Sequence, residues 1–186
     1  AERQKIGFKD GLVEVVLSRT LAECDGTHLT SLLALKYGLC TNVAGGTHHT
    51  GIEGGSGFTI VNDLAITAMK LLADDIVDKI LIVDCDVHQG DGTAVIAAGV
   101  EGLVTFDVNC SDNFPFTKAS PDYEVKLERG VGDVEYGERL KAALEAALEE
   151  VQPDLVIYDA GVDVLAADDL GHLDISEDGL RRRDFF

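Results

Sequence analysis

The sequence is short of bulky side chains, since it contains no tryptophan, a single methionine and 6% aromatic residues. It also lacks an apolar run near the ~20 residues that a membrane-spanning helix needs. Its first residues do not have the pattern of a signal or transit peptide. We therefore expect a protein that has no association with a membrane.

Positively charged residues are scarce as well. Lysine and arginine number 15 against 34 aspartates and glutamates, which gives a formal net charge of −19 at pH 7. Such a charge repels phosphate backbones, so we expect no direct binding of nucleic acid. It favours basic partners such as lysine-rich peptides, although acidity more often serves only to keep a protein dissolved.

Cysteine is limited to four residues, and none of them forms a CxxC pair. Unpaired, scattered cysteines are typical of structural thiols in a reducing intracellular compartment. The pattern fits the nucleus and the cytoplasm equally well.

The 186 residues, 46% of them hydrophobic, are enough for one domain with a buried core. Apolar runs predict buried strands at 79–84, 103–106 and 155–158, with a further short strand at 40–44. Helical spacing predicts helices at 29–37, 61–73, 92–98 and 133–150. This alternation predicts an α/β fold with three αβα layers around a central parallel sheet. In such a sheet, ligands bind beyond the carboxyl ends of the strands.

A cluster of polar residues follows the strand predicted at 79–84. Asp84, Asp86 and His88 are spaced two apart, so extended backbone turns their side chains to one side. Carboxylate and imidazole groups together are good ligands for a divalent ion such as zinc. Neighbouring glycines allow a turn that brings Asp91 back towards the same place. The alternative is a polar loop in which an aspartate caps the next helix.

Two adjacent histidines, His48 and His49, lie in the glycine-introduced segment GGTHHT at 45–50. On a loop the two imidazoles can converge, either as metal ligands or as an acid–base pair near neutral pH. Taken alone, the pair would more often be part of a surface loop.

A third cluster follows the strand predicted at 155–158. Asp163 can add a carboxylate to the same edge of the sheet from a neighbouring strand. Capping of a turn or helix is the alternative, and it applies more strongly to Asp168 and Asp169.

Aromatic residues are also placed beside polar segments, at Phe58, which follows Gly57, and at Phe114. Each phenylalanine alone is more often a core residue. Together, near a polar site, they can line an apolar slot for the stem of a long amphipathic side chain.

Four motifs in this order resemble the zinc-dependent histone deacetylase family. They are GGTHHT at 45–50, SGFTIVNDLAIT at 56–67, DCDVHQGDGT at 84–93, and YDAGVD at 158–163 with DDLGHLDIS at 168–176. The resemblance runs from about Ile6 to the C-terminus. Gln89, NFPF at 113–116 and GLRRRD at 179–184 are similar to the class IV-like branch.

The resemblance implies an arginase/deacetylase-type fold and a role for each matching residue. It implies zinc ligands at Asp86, His88 and Asp163. It implies an acid–base pair at His48 and His49, oriented by Asp84 and Asp91 respectively. It implies an acyl-lysine tunnel at Gly57, Phe58 and Phe114, and a structural K⁺ beside Asp84, Asp86 and the backbone of 107–108.

The implied activity is hydrolysis of the acetyl-lysine amide in histone tails or other proteins, with one Zn²⁺ per chain. The family also places a tyrosine in a glycine-rich segment well after the third ligand, and no tyrosine here matches it. Residues 1–186 are therefore expected to be part of a single catalytic domain that is incomplete at both ends and lacks its C-terminal portion. Because such a donor contributes ~10²–10³ in rate, we expect this piece by itself to be inactive or nearly so.

Other functions are compatible with parts of the pattern. Deacetylation of acetylpolyamines or removal of longer acyl chains from lysine would use the same family machinery. An arginase-like enzyme with two manganese ions needs another aspartate two residues after Asp163, where the chain has Leu165. A non-catalytic binding module would have lost metal ligands, whereas all three matching residues are present.

Overall fold

The structure, a computed structural model, describes residues 13–185, so the start of the family resemblance at residues 6–12 lies outside the described part. The elements in chain order are α1 (Val13–Tyr37), α2 (Asp63–Ala73), β1 (Ile80–Asp84), α3 (Asp91–Ala97), β2 (Leu103–Cys110), β3 (Tyr123–Leu127), α4 (Asp133–Val151), β4 (Leu155–Asp159) and α5 (Glu177–Asp184). Within this range, no helix is both long enough and apolar enough to cross a membrane.

The four strands form one parallel sheet in the order β3-β2-β1-β4. The chain runs outward from β1 through β2 to β3 and then returns to the other side of β1 to form β4. The strand order therefore reverses between β1 and β4, and in parallel sheets ligands bind in the crevice at the carboxyl ends of two such strands. In the register of the sheet, Asp84 at the end of β1 lies between Asp107 of β2 and Asp159 of β4.

Helices cover both faces of the sheet, and the residues of β1 alternate between the two cores. Ile80 and Ile82 pack with α2 and with the inner side of α1. Leu81 and Val83 face the opposite way and pack with α4. Each fully buried aliphatic side chain of this kind contributes about 1.5–3 kcal/mol through removal from water. The predicted three-layer αβα fold is confirmed.

Three details of the sheet differ from the sequence prediction. The segment 40–44 is not a strand: the side chain of Asn42 accepts a hydrogen bond from the Ala44 N–H at 3.2 Å, which bends the chain locally. β3 was not predicted, because it is an edge strand that carries exposed charged residues such as Lys126. The strand predicted at 103–106 continues to Cys110, and this extension brings Asp107 to the site edge.

Candidate functional site

Three carboxylates lie side by side in the register of neighbouring strands, with Asp84 and Asp159 at the ends of β1 and β4 and Asp107 within β2. Asp84 and Asp107 are 3% exposed as residues, and the Asp159 side chain is 13% exposed. Burial raises the pKa of both Asp107 and Asp159, and the negative charge of Asp84 raises it further. Neighbouring carboxylates that are this deeply buried need cationic or metal partners nearby. Asp159 was not singled out from the sequence, although it directly follows the strand predicted at 155–158 and is the last residue of β4.

Asp86, His88 and Asp163 converge just beyond these strand ends. The Nδ1 atom of His88 lies 3.0 Å from both Asp86 Oδ1 and Asp163 Oδ2. Asp163 also accepts a hydrogen bond from the Val87 N–H at 3.0 Å, which ties the segment after β4 to the segment after β1. One potential ligand atom from each of the three residues falls within 4.8 Å of the others. The set of two carboxylate oxygens and one imidazole nitrogen fits a zinc ion with an open fourth position.

The pKa of His88 is set by the same two carboxylates. Burial lowers the pKa of His88, but the hydrogen bonds and charges of Asp163 and Asp86 outweigh burial and raise it to about 9. The imidazole thus holds its proton only because two carboxylates face it. A divalent cation at this position would take the place of that proton.

His48 is buried and hydrogen-bonded on both sides of its ring. Its Nδ1 lies 2.7 Å from Asp84 Oδ2, and its Nε2 lies 3.1 Å from His49 Nε2. Burial alone would lower the pKa of His48, but the carboxylates of Asp84 and Asp86 raise it well above the ordinary value. These surroundings favour a protonated imidazole at neutral pH.

His49 has the opposite character. Its Nδ1 lies 2.7 Å from Asp91 Oδ1, at the first residue of α3. Burial lowers the pKa of His49 and the positive charge of His48 lowers it further, although Asp91 partly offsets both. A neutral His49 with its Nδ1–H bonded to Asp91 has Nε2 as its acceptor atom, and in this structure Nε2 accepts the hydrogen bond of the protonated His48 at 3.1 Å. Such separation of pKa values is typical of acid–base pairs.

The loop that carries both histidines is anchored at the N-terminus of α2. The buried carboxylate of Asp63 accepts hydrogen bonds from the backbone N–H groups of Thr47 at 2.8 Å and Gly46 at 3.3 Å. The side chain of Asn62 donates to the His48 carbonyl at 3.3 Å while it also caps α2. From the sequence these two residues were predicted only to start a helix.

Arg183 on α5 was not identified from the sequence as a site residue, yet its side chain is 1% exposed. Its guanidinium donates hydrogen bonds to the carbonyls of Cys85 at 3.1 Å and Gly161 at 2.6 Å. Cys85 directly precedes Asp86, and Gly161 comes two residues before Asp163. Arg183 therefore fixes the backbone under both carboxylates.

The residues predicted to line an apolar slot are placed differently from one another. A Cβ atom on Gly57 would lie 2.3 Å from the His49 ring, and its φ of +51° also favours glycine. The Phe114 ring meets His49 edge-on at a centroid distance of 4.9 Å. Phe58 is 62% exposed. The structure thus brings Gly57 and Phe114 against His49 and leaves Phe58 at the surface.

Asp163 and Asp168, both from the third cluster, have different environments. Asp163 reaches the site, whereas Asp168 accepts hydrogen bonds from the N–H groups of Leu170 and Gly171, each at 2.8 Å. The capping role that the sequence favoured for Asp168 is confirmed.

Comparisons with known proteins place this geometry in a family. The model of the histone deacetylase domain matches residues 5–185. An uncharacterized protein of Picosynechococcus sp. is 47% identical over 169 residues, which cover 91% of this chain and 56% of that protein. Histone deacetylase 2 of Arabidopsis thaliana is 35% identical over 162 residues, which cover 86% of this chain and 42% of that protein.

A solved structure agrees with these relatives. The crystal structure of the HDA15 HD domain superposes with a TM-score of 0.73 at 25% identity, covering 87% of this chain and 50% of that one. The chain thus spans about half the length of the proteins that it matches. The histone deacetylase domain model matches nearly every residue, and the chain therefore belongs to the histone deacetylase family.

Proposed function

We propose that the protein of which residues 1–186 form part is a zinc-dependent hydrolase of the acetyl-lysine amide in histone tails or other proteins. One observation supports this most directly. The imidazoles of His48 and His49 have pKa values shifted in opposite directions, and each lies 2.7 Å from its own aspartate. Both lie beside the potential metal ligands Asp86, His88 and Asp163. His48 Nε2 is 3.8 Å from Asp86 Oδ1, so the two groups form one site.

Asp86, His88 and Asp163 would hold the zinc ion. When bound, zinc supplies a Lewis acid for the amide carbonyl and lowers the pKa of a water molecule towards ~7. A structural K⁺ is proposed beside Asp84, Asp86 and the backbone of 107–108, where Asp84 at the end of β1 is the register partner of Asp107 within β2.

The two histidines would move the protons. Neutral His49 would accept the proton of the attacking water at Nε2 in place of its hydrogen bond from His48, and Asp91 would stabilise the imidazolium that forms. The leaving lysine amine then takes a proton from this pair. His48, which shares its own proton with Asp84, supplies positive charge next to His49. The two aspartates fix the tautomers, as carboxylates do behind other catalytic imidazoles.

The substrate stem would lie against Gly57 and Phe114, with Phe58 at the entrance. Gly57 leaves the His49 ring uncovered, because any larger residue would overlap it. Phe114 adds an apolar wall at 4.9 Å from the same ring, which suits the methylene groups of a lysine side chain. The acidic surface, with a net charge of −19, favours basic segments around the acetylated lysine.

The test uses the full-length protein, because the chain spans about half of its relatives. Bound metal and acetate release from an acetyl-lysine peptide are measured for the wild type, His49→Gln and Asp74→Asn. Asp74 is an exposed surface acid paired with Lys70, so it serves as the matched control.

We expect zinc-dependent release that His49→Gln reduces by about 10²-fold or more and that Asp74→Asn leaves unchanged. A zinc-loaded wild type that releases no acetate from the peptide would refute the proposal, and an acetylpolyamine in the same assay would then identify the related alternative. Two manganese ions per chain would instead indicate a binuclear hydrolase.

A further inference from the structure

A further group of potential metal ligands lies around the end of β2. Cys110 is the last residue of β2, Asp112 lies in the turn that follows, and His172 lies in the loop after β4. Their thiol, carboxylate and imidazole groups each place one atom within 4.8 Å of the others. None of the three belongs to the site described above.

We propose that Cys110, Asp112 and His172 form a second, separate zinc site. Sulfur, nitrogen and oxygen are the three ligand types that zinc accepts in proteins. Around a tetrahedral zinc with bonds of ~2.0–2.3 Å, neighbouring ligand atoms lie about 3.5 Å apart. The distance of 3.3 Å between Cys110 Sγ and Asp112 Oδ1 is close to that spacing.

His172 gives the strongest indication that something other than the protein completes this cluster. Its Nδ1 is buried and has no hydrogen-bond partner within residues 13–185. Buried ring nitrogens are rarely left unpaired, since the desolvation of an unmatched polar atom is costly. A hydrogen bond from the Cys110 thiol to Asp112 accounts for those two residues and leaves His172 unexplained.

Backbone hydrogen bonds hold Cys110 and His172, and a side-chain contact holds Asp112. The Cys110 N–H donates to the Val87 carbonyl at 2.9 Å, and the His172 carbonyl accepts from Gly130 at 2.8 Å. Arg129 binds Asp112 through Oδ2 at 3.3 Å, so Oδ1 remains for a metal while the carboxylate keeps its orientation. Outer contacts of this kind are usual behind metal ligands.

Binding would exchange a proton for the metal. The Cys110 S–H bond breaks, the proton leaves to solvent, and a sulfur–zinc bond forms, while His172 binds the ion through a ring nitrogen. The ion would join the end of β2 to the loop after β4. Those segments already touch, because Asn113 donates to the Leu170 carbonyl at 2.9 Å. The second zinc would thus brace the turn that carries Phe114.

Cobalt separates the two sites, because only the second contains a thiolate. The full-length protein is titrated with Co²⁺, and the near-ultraviolet sulfur-to-cobalt charge-transfer band and the metal content are recorded. Zinc is then added to displace the cobalt. The variants are Cys110→Ser and His172→Gln, with Cys40→Ser as a matched thiol control and Asp163→Asn to empty the Asp86/His88/Asp163 cluster.

We expect the charge-transfer band in the wild type, in Cys40→Ser and in Asp163→Asn. Cys110→Ser and His172→Gln should each lose the band and bind one equivalent of metal less than the wild type. Thermal unfolding shows whether each variant is folded, and His172→Gln tests the site if Cys110→Ser is not. A wild type without the band at saturating cobalt, or a band that survives in Cys110→Ser, overturns the proposal.

Discussion

At the scale of single residues, the chemistry of the site depends on how differently two neighbours are surrounded. His48 and His49 are adjacent in the chain, yet Asp84 at the end of β1 holds the first and Asp91 at the start of α3 holds the second. The first imidazole is enclosed by several carboxylates, whereas burial dominates for the second. Two histidines therefore supply one charged and one neutral ring, with their Nε2 atoms 3.1 Å apart.

Asp91→Asn tests the orienting role of the carboxylate behind His49. The substitution keeps the size of the side chain and removes the charge that stabilises a protonated His49. We expect kcat of the full-length deacetylase to fall by about 10–100-fold, with zinc content unchanged. Steady-state kinetics and metal analysis measure both quantities. Unchanged kcat would show that Asp91 does not orient His49, and Asp74→Asn again serves as the surface control.

The sequence was most informative where ligand spacing is local. Asp86 and His88 are two residues apart at a strand end, and the structure places them together with Asp163 as the pattern predicted. Arg183 could not be found in this way, because its partner Cys85 lies 98 residues away and the contact is to a backbone carbonyl. A buried arginine has no sequence signature when it is surrounded by exposed ones.

At the scale of elements, the side chain of Arg183 links helix α5 to the backbone of the site. Arg183→Met keeps the apolar stem but removes the hydrogen bonds to Cys85 and Gly161. Hydrogen bonds from a charged donor contribute about 1.5–3 kcal/mol each. We expect the free energy of unfolding to fall by roughly 3 kcal/mol and zinc to bind more weakly, because the backbone beneath two metal-binding carboxylates loses its support.

Urea unfolding and zinc titration of the full-length protein measure these effects. Arg181→Met is the matched control, since Arg181 is 68% exposed and, within residues 13–185, forms its ion pairs with acids of its own helix. If Arg183→Met lost stability but bound zinc as tightly as the wild type, the effect would be structural and would not concern the metal site.

Asp133 at the start of α4 binds the start of α5 and should make that contact sensitive to acid. Its carboxylate accepts hydrogen bonds from the Ser176 hydroxyl at 2.6 Å and the Ser176 N–H at 2.8 Å, and it pairs with Arg182 at 2.8 Å. These contacts lower the pKa of Asp133 below its ordinary value of 3.8. The folded state then binds fewer protons than the unfolded state, so the stabilisation is complete above pH ~4 and is lost as the pH falls through the folded pKa.

Asp133→Asn should remove this pH dependence. We expect the variant to be less stable than the wild type near neutral pH and the difference to shrink below pH ~4. Unfolding by urea at several pH values measures the difference, and Glu135→Gln, an exposed acid on the same helix, is the control. A difference that stays constant down to pH ~2 would contradict the assignment.

The elements themselves were predictable in proportion to their burial. β1, with all five residues buried, was predicted within one residue of its observed start. β3 was missed because its neighbours are polar and its pattern of burial is broken, as expected for an edge strand. The segment 40–44 was predicted as a strand for its local apolar residues, but it has no partner within residues 13–185. Pairing is a long-range property, and short runs do not encode it.

At the scale of the whole molecule, charge is concentrated where the strands converge. Asp84, Asp107 and Asp159 meet at one edge, and Asp86 and Asp163 lie just beyond them. The rest of the chain adds to the same sign, to a net charge of −19. Like charges so close together destabilise the folded state unless a cation lies among them. Metal binding and folding should consequently be coupled.

Zinc should therefore stabilise the full-length protein as a whole. Asp163 is linked to the segment after β1 across 76 residues of chain, so a metal there joins both sides of the crevice. An ion that binds only the folded state adds about 2.7 kcal/mol to the free energy of unfolding at 100 times its Kd. We expect urea unfolding in a Cys110→Ser background to show this gain with Zn²⁺ and little gain with Mg²⁺, which prefers octahedral oxygen ligands. Asp163→Asn should abolish the gain. Equal stabilisation of Asp163→Asn and the parent would mean that zinc acts elsewhere on the molecule and that the cluster at the β1–β4 crevice does not couple metal to folding.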